Sequence, residues 1–109
     1  MEFKTYQKKA RLTAQYPDLG SNYTYPTLGL VGEAGEVAEK VKKVIRDNKG
    51  VFDEASKNGI KKELGDVLWY VSNLCTEFDF KLEDVALENL DKLKNRAAKG
   101  KISGSGDDR

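Results

Sequence analysis

Histidine is absent from this 109-residue chain, and cysteine occurs once, at position 75. The lack of histidine excludes Ser-His and Cys-His nucleophile systems, imidazole general bases and histidine-bearing zinc sites together. A single cysteine forms no internal disulfide and rules out thiolate metal centres. With Val71, Leu74 and Phe78 as its sequence neighbours, Cys75 reads as a small buried apolar group. Also missing is any run near the roughly 20 apolar residues of a membrane span, and Met1-Glu2-Phe3-Lys4 lacks the apolar core of a secretory leader. The expectation is a cytoplasmic protein with no membrane partner. Nor is there an excess of one charge: 19 basic against 18 acidic residues leave +1, without the surplus that polymeric nucleic acid attracts. Metal chemistry, if present, falls to carboxylates, whose oxygens favour hard cations such as Mg²⁺ or Mn²⁺.

What the chain does contain is helical periodicity. Hydrophobic residues at 39% and charged residues at 34% suit amphipathic helices around one small core. A chain this short buries only about two thirds of its unfolded surface. Phe3, Tyr6, Ala10, Thr13 and Ala14 predict a first helix over 2–16, ended by Pro17. Residues 18–26 read as a loop, with Thr27 as the cap of a second helix over 28–47. Residues 48–58 read as a connection, 59–78 as a third helix and 83–98 as a fourth, stopped by Gly100. The fold expected is all-α, an antiparallel bundle of four main helices in one domain over 1–99. The polar, glycine-rich residues 100–109 form a flexible tail.

Two helices repeat one phrase. Glu33-Ala34-Gly35-Glu36-Val37 returns as Glu63-Leu64-Gly65-Asp66-Val67. At about 100° per residue, Leu30, Ala34, Val37, Val41, Val44 and Ile45 form an apolar stripe with Glu33 and Glu36 toward its margin. Glu63 and Asp66 hold the equivalent margin beside Ile60, Leu64, Val67, Val71, Leu74 and Cys75. Packing the stripes together converges the acids. Two carboxylates ~5 Å apart repel by about 3 kcal/mol at an effective dielectric near 20, so such a cluster calls for a cation. The plainer alternative is a solvated face, with Lys40 and Lys43 neutralising Glu36 and Glu39 along the helix. Gly35 and Gly65 each forgo roughly 1 kcal/mol relative to alanine, which suggests a close approach at both positions.

These phrases resemble the signature of the MazG-like all-α NTP pyrophosphohydrolases, E-E-x-x-E followed after a spacer by E-x-x-D. Here the match is Gly32-Glu33-Ala34-Gly35-Glu36, a spacer of 26 residues, then Glu63-Leu64-Gly65-Asp66. Gly32 departs from the pattern, standing where the first glutamate is expected. The resemblance covers about residues 25–98. It implies conversion of an NTP or dNTP to the monophosphate and pyrophosphate, with Mg²⁺, or Mn²⁺, on Glu33, Glu36, Glu63 and Asp66. Glu36 or Glu39 is the candidate general base. The family also carries a Lys and an Arg four residues apart on its last conserved helix, where they are thought to grip phosphates. Lys92 and Arg96 match that spacing, flanking the stripe of Leu82, Ala86, Leu90, Leu93 and Ala97. Asn89 shares their flank, and Asn89, Tyr70 and Asn73 are the nucleotide-binding candidates.

Three readings stand beside this one: a narrow dCTP or dUTP pyrophosphatase, a phosphoribosyl-ATP pyrophosphohydrolase, and a non-catalytic helical partner whose acidic stripe binds a basic protein. Broad apolar stripes, with Trp69 and Tyr70 outside them, point to a homodimer or higher homo-oligomer. In such an assembly the charged tail ending at Arg109 closes over bound phosphates.

Overall fold

A computed structural model describes residues 1–100 and 104–107. It contains four helices and, among the described residues, no strand: α1 (Phe3–Leu12), α2 (Thr24–Asn48), α3 (Glu54–Glu77) and α4 (Leu82–Ala98). The all-α expectation holds, and the differences lie at helix ends. α1 stops at Leu12 because the Thr13 hydroxyl donates to the Ala10 carbonyl at 2.7 Å, while the Thr13 and Ala14 amides turn back to Ala10 and Arg11. α2 begins ahead of Pro26, not after it. A proline in the first turn lacks only an N–H that has no intrahelical partner, and the Asn22 carboxamide oxygen accepts from the Tyr25 amide at 3.0 Å. Thr27 is therefore no cap; its hydroxyl donates to the Tyr23 carbonyl inside the helix. α3 starts five residues before the expected Gly59, because Asp53 accepts from the Ser56 amide at 2.7 Å and caps a turn that the hydrophobic period does not reach.

α2 and α3 form the main packed pair. Lys40 lies against Glu63, and Gly29 against Tyr70, so the two helices run antiparallel. α1 lies along the second half of α3, also antiparallel, with Gln7 bonded to Thr76, Arg11 to Asn73 and Thr13 to Trp69. α4 turns off the end of α3, where the Gln7 side chain accepts from the Leu82 amide, and packs on α1 and α3 without touching α2.

The core is accordingly slight: Ala10, Ala14, Tyr16, Val44, Cys75 and Leu82 are its buried hydrophobic residues. Cys75 is free and enclosed, as expected. Much of each apolar stripe stays open, with Leu28 and Val31 both 67% exposed, Leu64 53% and Leu90 62%. Ile45 and Leu93, expected on stripes, are likewise exposed. The Cα radius of gyration is 16.7 Å, against about 13 Å for a compact chain of this length. Among the described residues no helix is long and apolar enough to cross a membrane.

Candidate metal and nucleotide site

The repeated acidic phrase is built into facing turns of α2 and α3. Glu33, Glu63 and Asp66 each place one carboxylate oxygen so that all three lie within 4.8 Å of one another. Glu33 and Glu63 are half-buried and Asp66 is exposed. Burial, then a hydrogen bond to Glu63 and the charges of Asp66, Glu63 and Glu36, pushes the Glu33 carboxyl above its usual range. A divalent cation reverses that penalty, and an all-oxygen donor set suits Mg²⁺ or Mn²⁺. Lys40 supplies a partial counter-charge, 3.7 Å from Glu63 across the helix pair.

The other expected acids stand apart. Glu36 is exposed and outside the trio, though near enough to act on Glu33. Glu39 pairs with Lys42 at 2.7 Å, and that contact holds its carboxyl below the usual range. The helix-surface neutralisation expected from Lys40 and Lys43 is thus arranged differently, with Lys40 serving Glu63 and Lys42 serving Glu39.

Glycine placement also departs from expectation. A Cβ at Gly35 or Gly65 would meet nothing within 4 Å, and the same is true of Gly32. The close approach occurs instead at Gly29, one turn before Glu33, where a Cβ would run into the Tyr70 ring. Tyr70 sits one turn after Asp66, so glycine at 29 lets its ring settle across α2 beside the acids. Burial first, then Tyr25 and the Glu33 and Asp66 carboxylates, raises the Tyr70 hydroxyl pKa.

Of the remaining candidates, Asn73 is buried between α3 and α1. It accepts from Arg11 at 3.3 Å and donates to the Trp69 carbonyl at 3.2 Å. Asn89, Lys92 and Arg96 lie on α4, away from α2. Lys92 Nζ is 3.0 Å and Arg96 Nη2 3.2 Å from the Asp107 carboxylate. Arg96 also donates to the carbonyls of Gly106 and Asp107. Part of the tail therefore returns to α4, while the closing role expected of Arg109 falls outside the described residues.

Sequence reasoning missed a polar and aromatic region behind Tyr70. Tyr16 stacks on Tyr25 at 5.0 Å between centroids, and Trp69 stands edge-on to both Tyr16 and Tyr70. The abundance of tyrosine in residues 16–25 was the available signal, but no period links that loop to α3.

Four helices with an oxygen-only carboxylate cluster on one helix pair define an all-α protein with a candidate hard-cation site. Residues 23–100 match the MazG nucleotide pyrophosphohydrolase domain, and the chain belongs to that family, which is typically metal-dependent. The gene 37 protein of Mycobacterium phage L5 is 46% identical to it over 114 residues, covering 100% of each chain. No solved structure matches the chain.

Proposed function

We propose that this chain is a Mg²⁺-dependent nucleoside triphosphate pyrophosphohydrolase, releasing pyrophosphate and a nucleoside monophosphate from an NTP or dNTP. The observation that carries the reading is the convergence of Glu33, Glu63 and Asp66 within 4.8 Å on the matched domain. When bound, Mg²⁺ supplies Lewis-acid activation of water and neutralises phosphate charge. Those three side chains hold the ion, with Glu36 completing the set from the next turn of α2. Glu36 or Glu39 receives the proton of the attacking water. Glu39 is paired with Lys42 at 2.7 Å but lies outside the ligand set, whereas Glu36 would serve both as ligand and as base. The chain has no histidine, and direct hydrolysis by water needs none.

Lys92 and Arg96 are read as the cations for the phosphates, with Asn89 beside them and Tyr70 at the nucleoside end. Because α4 does not pack on α2 within one chain, a homodimer or higher homo-oligomer serves two ends. It covers exposed residues such as Leu28, Val31 and Leu90, and it offers a neighbour's α4 to the phosphates. We read residues 1–99 as one MazG-like domain acting in the cytoplasm on small-molecule nucleotides, not on polymeric nucleic acid.

Pyrophosphate release from each canonical NTP and dNTP, with Mg²⁺ and with chelator, tests the reading. The expected result is Mg²⁺-dependent release that Asp66→Asn and Glu36→Gln abolish with helical circular dichroism intact. Release unchanged in both variants refutes the metal assignment. Light scattering tests the assembly: a fully active species near the 12.2 kDa chain mass rules out a shared site.

A further inference from the structure

We infer that Glu77 is a positioning residue whose buried carboxylate pins the α1–α2 connection as one wall of an aromatic cleft beside the acidic trio, and that this cleft takes the base and sugar of the nucleotide, with Gln15 at the base edge. The inference rests on the pyrophosphohydrolase reading for the position of the phosphates.

The Glu77 side chain is 1% exposed. A buried carboxylate is costly unless surrounded by donors, and Glu77 has four: the Tyr16 hydroxyl at 2.6 Å, the Asn22 amide at 2.7 Å, the Gly20 amide at 3.1 Å and Arg11 at 2.7 Å. These donors span the whole connection from the end of α1 to the threshold of α2. Asn22 extends the anchorage, donating from its side chain to the Pro17 carbonyl at 2.8 Å and accepting from the Tyr25 amide that opens α2. One carboxylate therefore fixes the connection between Tyr16 and Tyr25 and sets where α2 begins.

That loop faces a cleft of about 490 Å³ lined by Thr13, Gln15, Tyr16, Tyr25, Trp69 and Tyr70, within the size range of small-ligand sites. The Trp69 indole N–H is already committed to the Thr13 hydroxyl at 2.8 Å, which leaves the ring's aromatic surface, and not its N–H, for a ligand. Flat π-surfaces of this kind stack nucleobases. Among the described residues the Gln15 amide has no hydrogen-bond partner, leaving a donor and an acceptor at the rim. Tyr70 joins cleft to trio, one turn after Asp66 and packed on Gly29, itself one turn before Glu33. A triphosphate held at the acids thereby directs its nucleoside toward the cleft.

Trp69 is the only tryptophan, so its fluorescence reports on the cleft without hydrolysis. Titrating the full chain with AMP, CMP, GMP, UMP and TMP should give saturable quenching by at least one. Tyr25→Ala and Glu77→Gln should weaken that binding about tenfold or more, the loss expected for a disturbed stacking site. Both should raise KM in the pyrophosphate assay with kcat little changed, and Gln15→Ala should reorder the base preference. If Glu77→Gln does not fold, the two exposed sites Gln15 and Tyr25 still decide the matter. Normal pyrophosphate release without quenching by any monophosphate, or unchanged KM and base order in Tyr25→Ala and Gln15→Ala, overturns the inference. Saturable quenching without pyrophosphate release from any triphosphate would refute the enzyme reading and leave the cleft standing.

Discussion

Replacing Gly29 by alanine, set beside the same replacement at Gly35, isolates the helix contact that seats Tyr70. Both glycines lie inside α2, so each substitution gains roughly 1 kcal/mol of helix propensity. That gain cancels in the comparison. At Gly35 the new methyl meets nothing within 4 Å, and the variant should be more stable than the parent. At Gly29 the methyl would occupy space held by the Tyr70 ring, which is itself set edge-on against Trp69 at 5.0 Å. The ring has to leave, at the overpacking cost of about 1–3 kcal/mol. In a domain of this size that corresponds to a Tm gap of at least about 4 °C between the two variants. Thermal melting by circular dichroism at one protein concentration measures it. Equal melting temperatures would refute the assignment of Gly29 as the contact glycine and, with it, the seat of Tyr70 beside the acids.

Three further outcomes follow from the charges. Burial and neighbouring carboxylates raise the Glu33 pKa in the folded chain; the folded state therefore holds its proton longer, and stability present at acid pH is lost as pH rises from about 4.5 through that raised value. Chelated protein should show this decline in Tm, and saturating Mg²⁺ should remove it, adding about 2.7 kcal/mol at a hundredfold excess over Kd. Glu63→Gln should lose the Mg²⁺-induced rise. For Glu77 the sign is opposite. Burial alone would raise its pKa, but donors from Tyr16, Asn22, Arg11 and Gly20 hold it at about 2, so its contribution is full above the unfolded value near 4.5 and is lost as pH falls from there toward 2. Acid titration of Glu77→Gln should lack that segment of the unfolding curve. Finally, Asp107→Asn removes the carboxylate that Lys92 shares with Arg96, freeing Lys92 while Arg96 keeps its bonds to the Gly106 and Asp107 carbonyls; KM for the triphosphate should fall, and Lys92→Ala should raise it.

Much of this architecture was legible because helix period and acid spacing are local signals. The stripes over Leu30–Val44 and Ile60–Cys75 predicted two facing helices, and the phrase shared by Glu33 and Glu63 predicted which edges meet. Helix starts were less legible. Pro26 and the Asp53 cap act within a single turn, where a breaker in the first turn looks like one in the interior. Gly35 and Gly65 misled because glycine beside acids suggests contact, whereas the contact at Gly29 depends on which ring α3 presents. The Glu77 network was hidden for a different reason. Its donors lie 55–66 residues away in sequence, and nothing periodic connects them. Nor could the stripe of α4 reveal that Leu90 and Leu93 remain uncovered in one chain.

The proposed cleavage between the α and β phosphates, at a cation held by Glu33, Glu63 and Asp66, is best tested by phosphorus NMR of a triphosphate incubated with the chain and Mg²⁺. Signals of nucleoside monophosphate and pyrophosphate should grow together in equal amounts, and should be absent with chelator or with Asp66→Asn. Growth of orthophosphate and nucleoside diphosphate instead, or equal product from Asp66→Asn, would refute cleavage at that site.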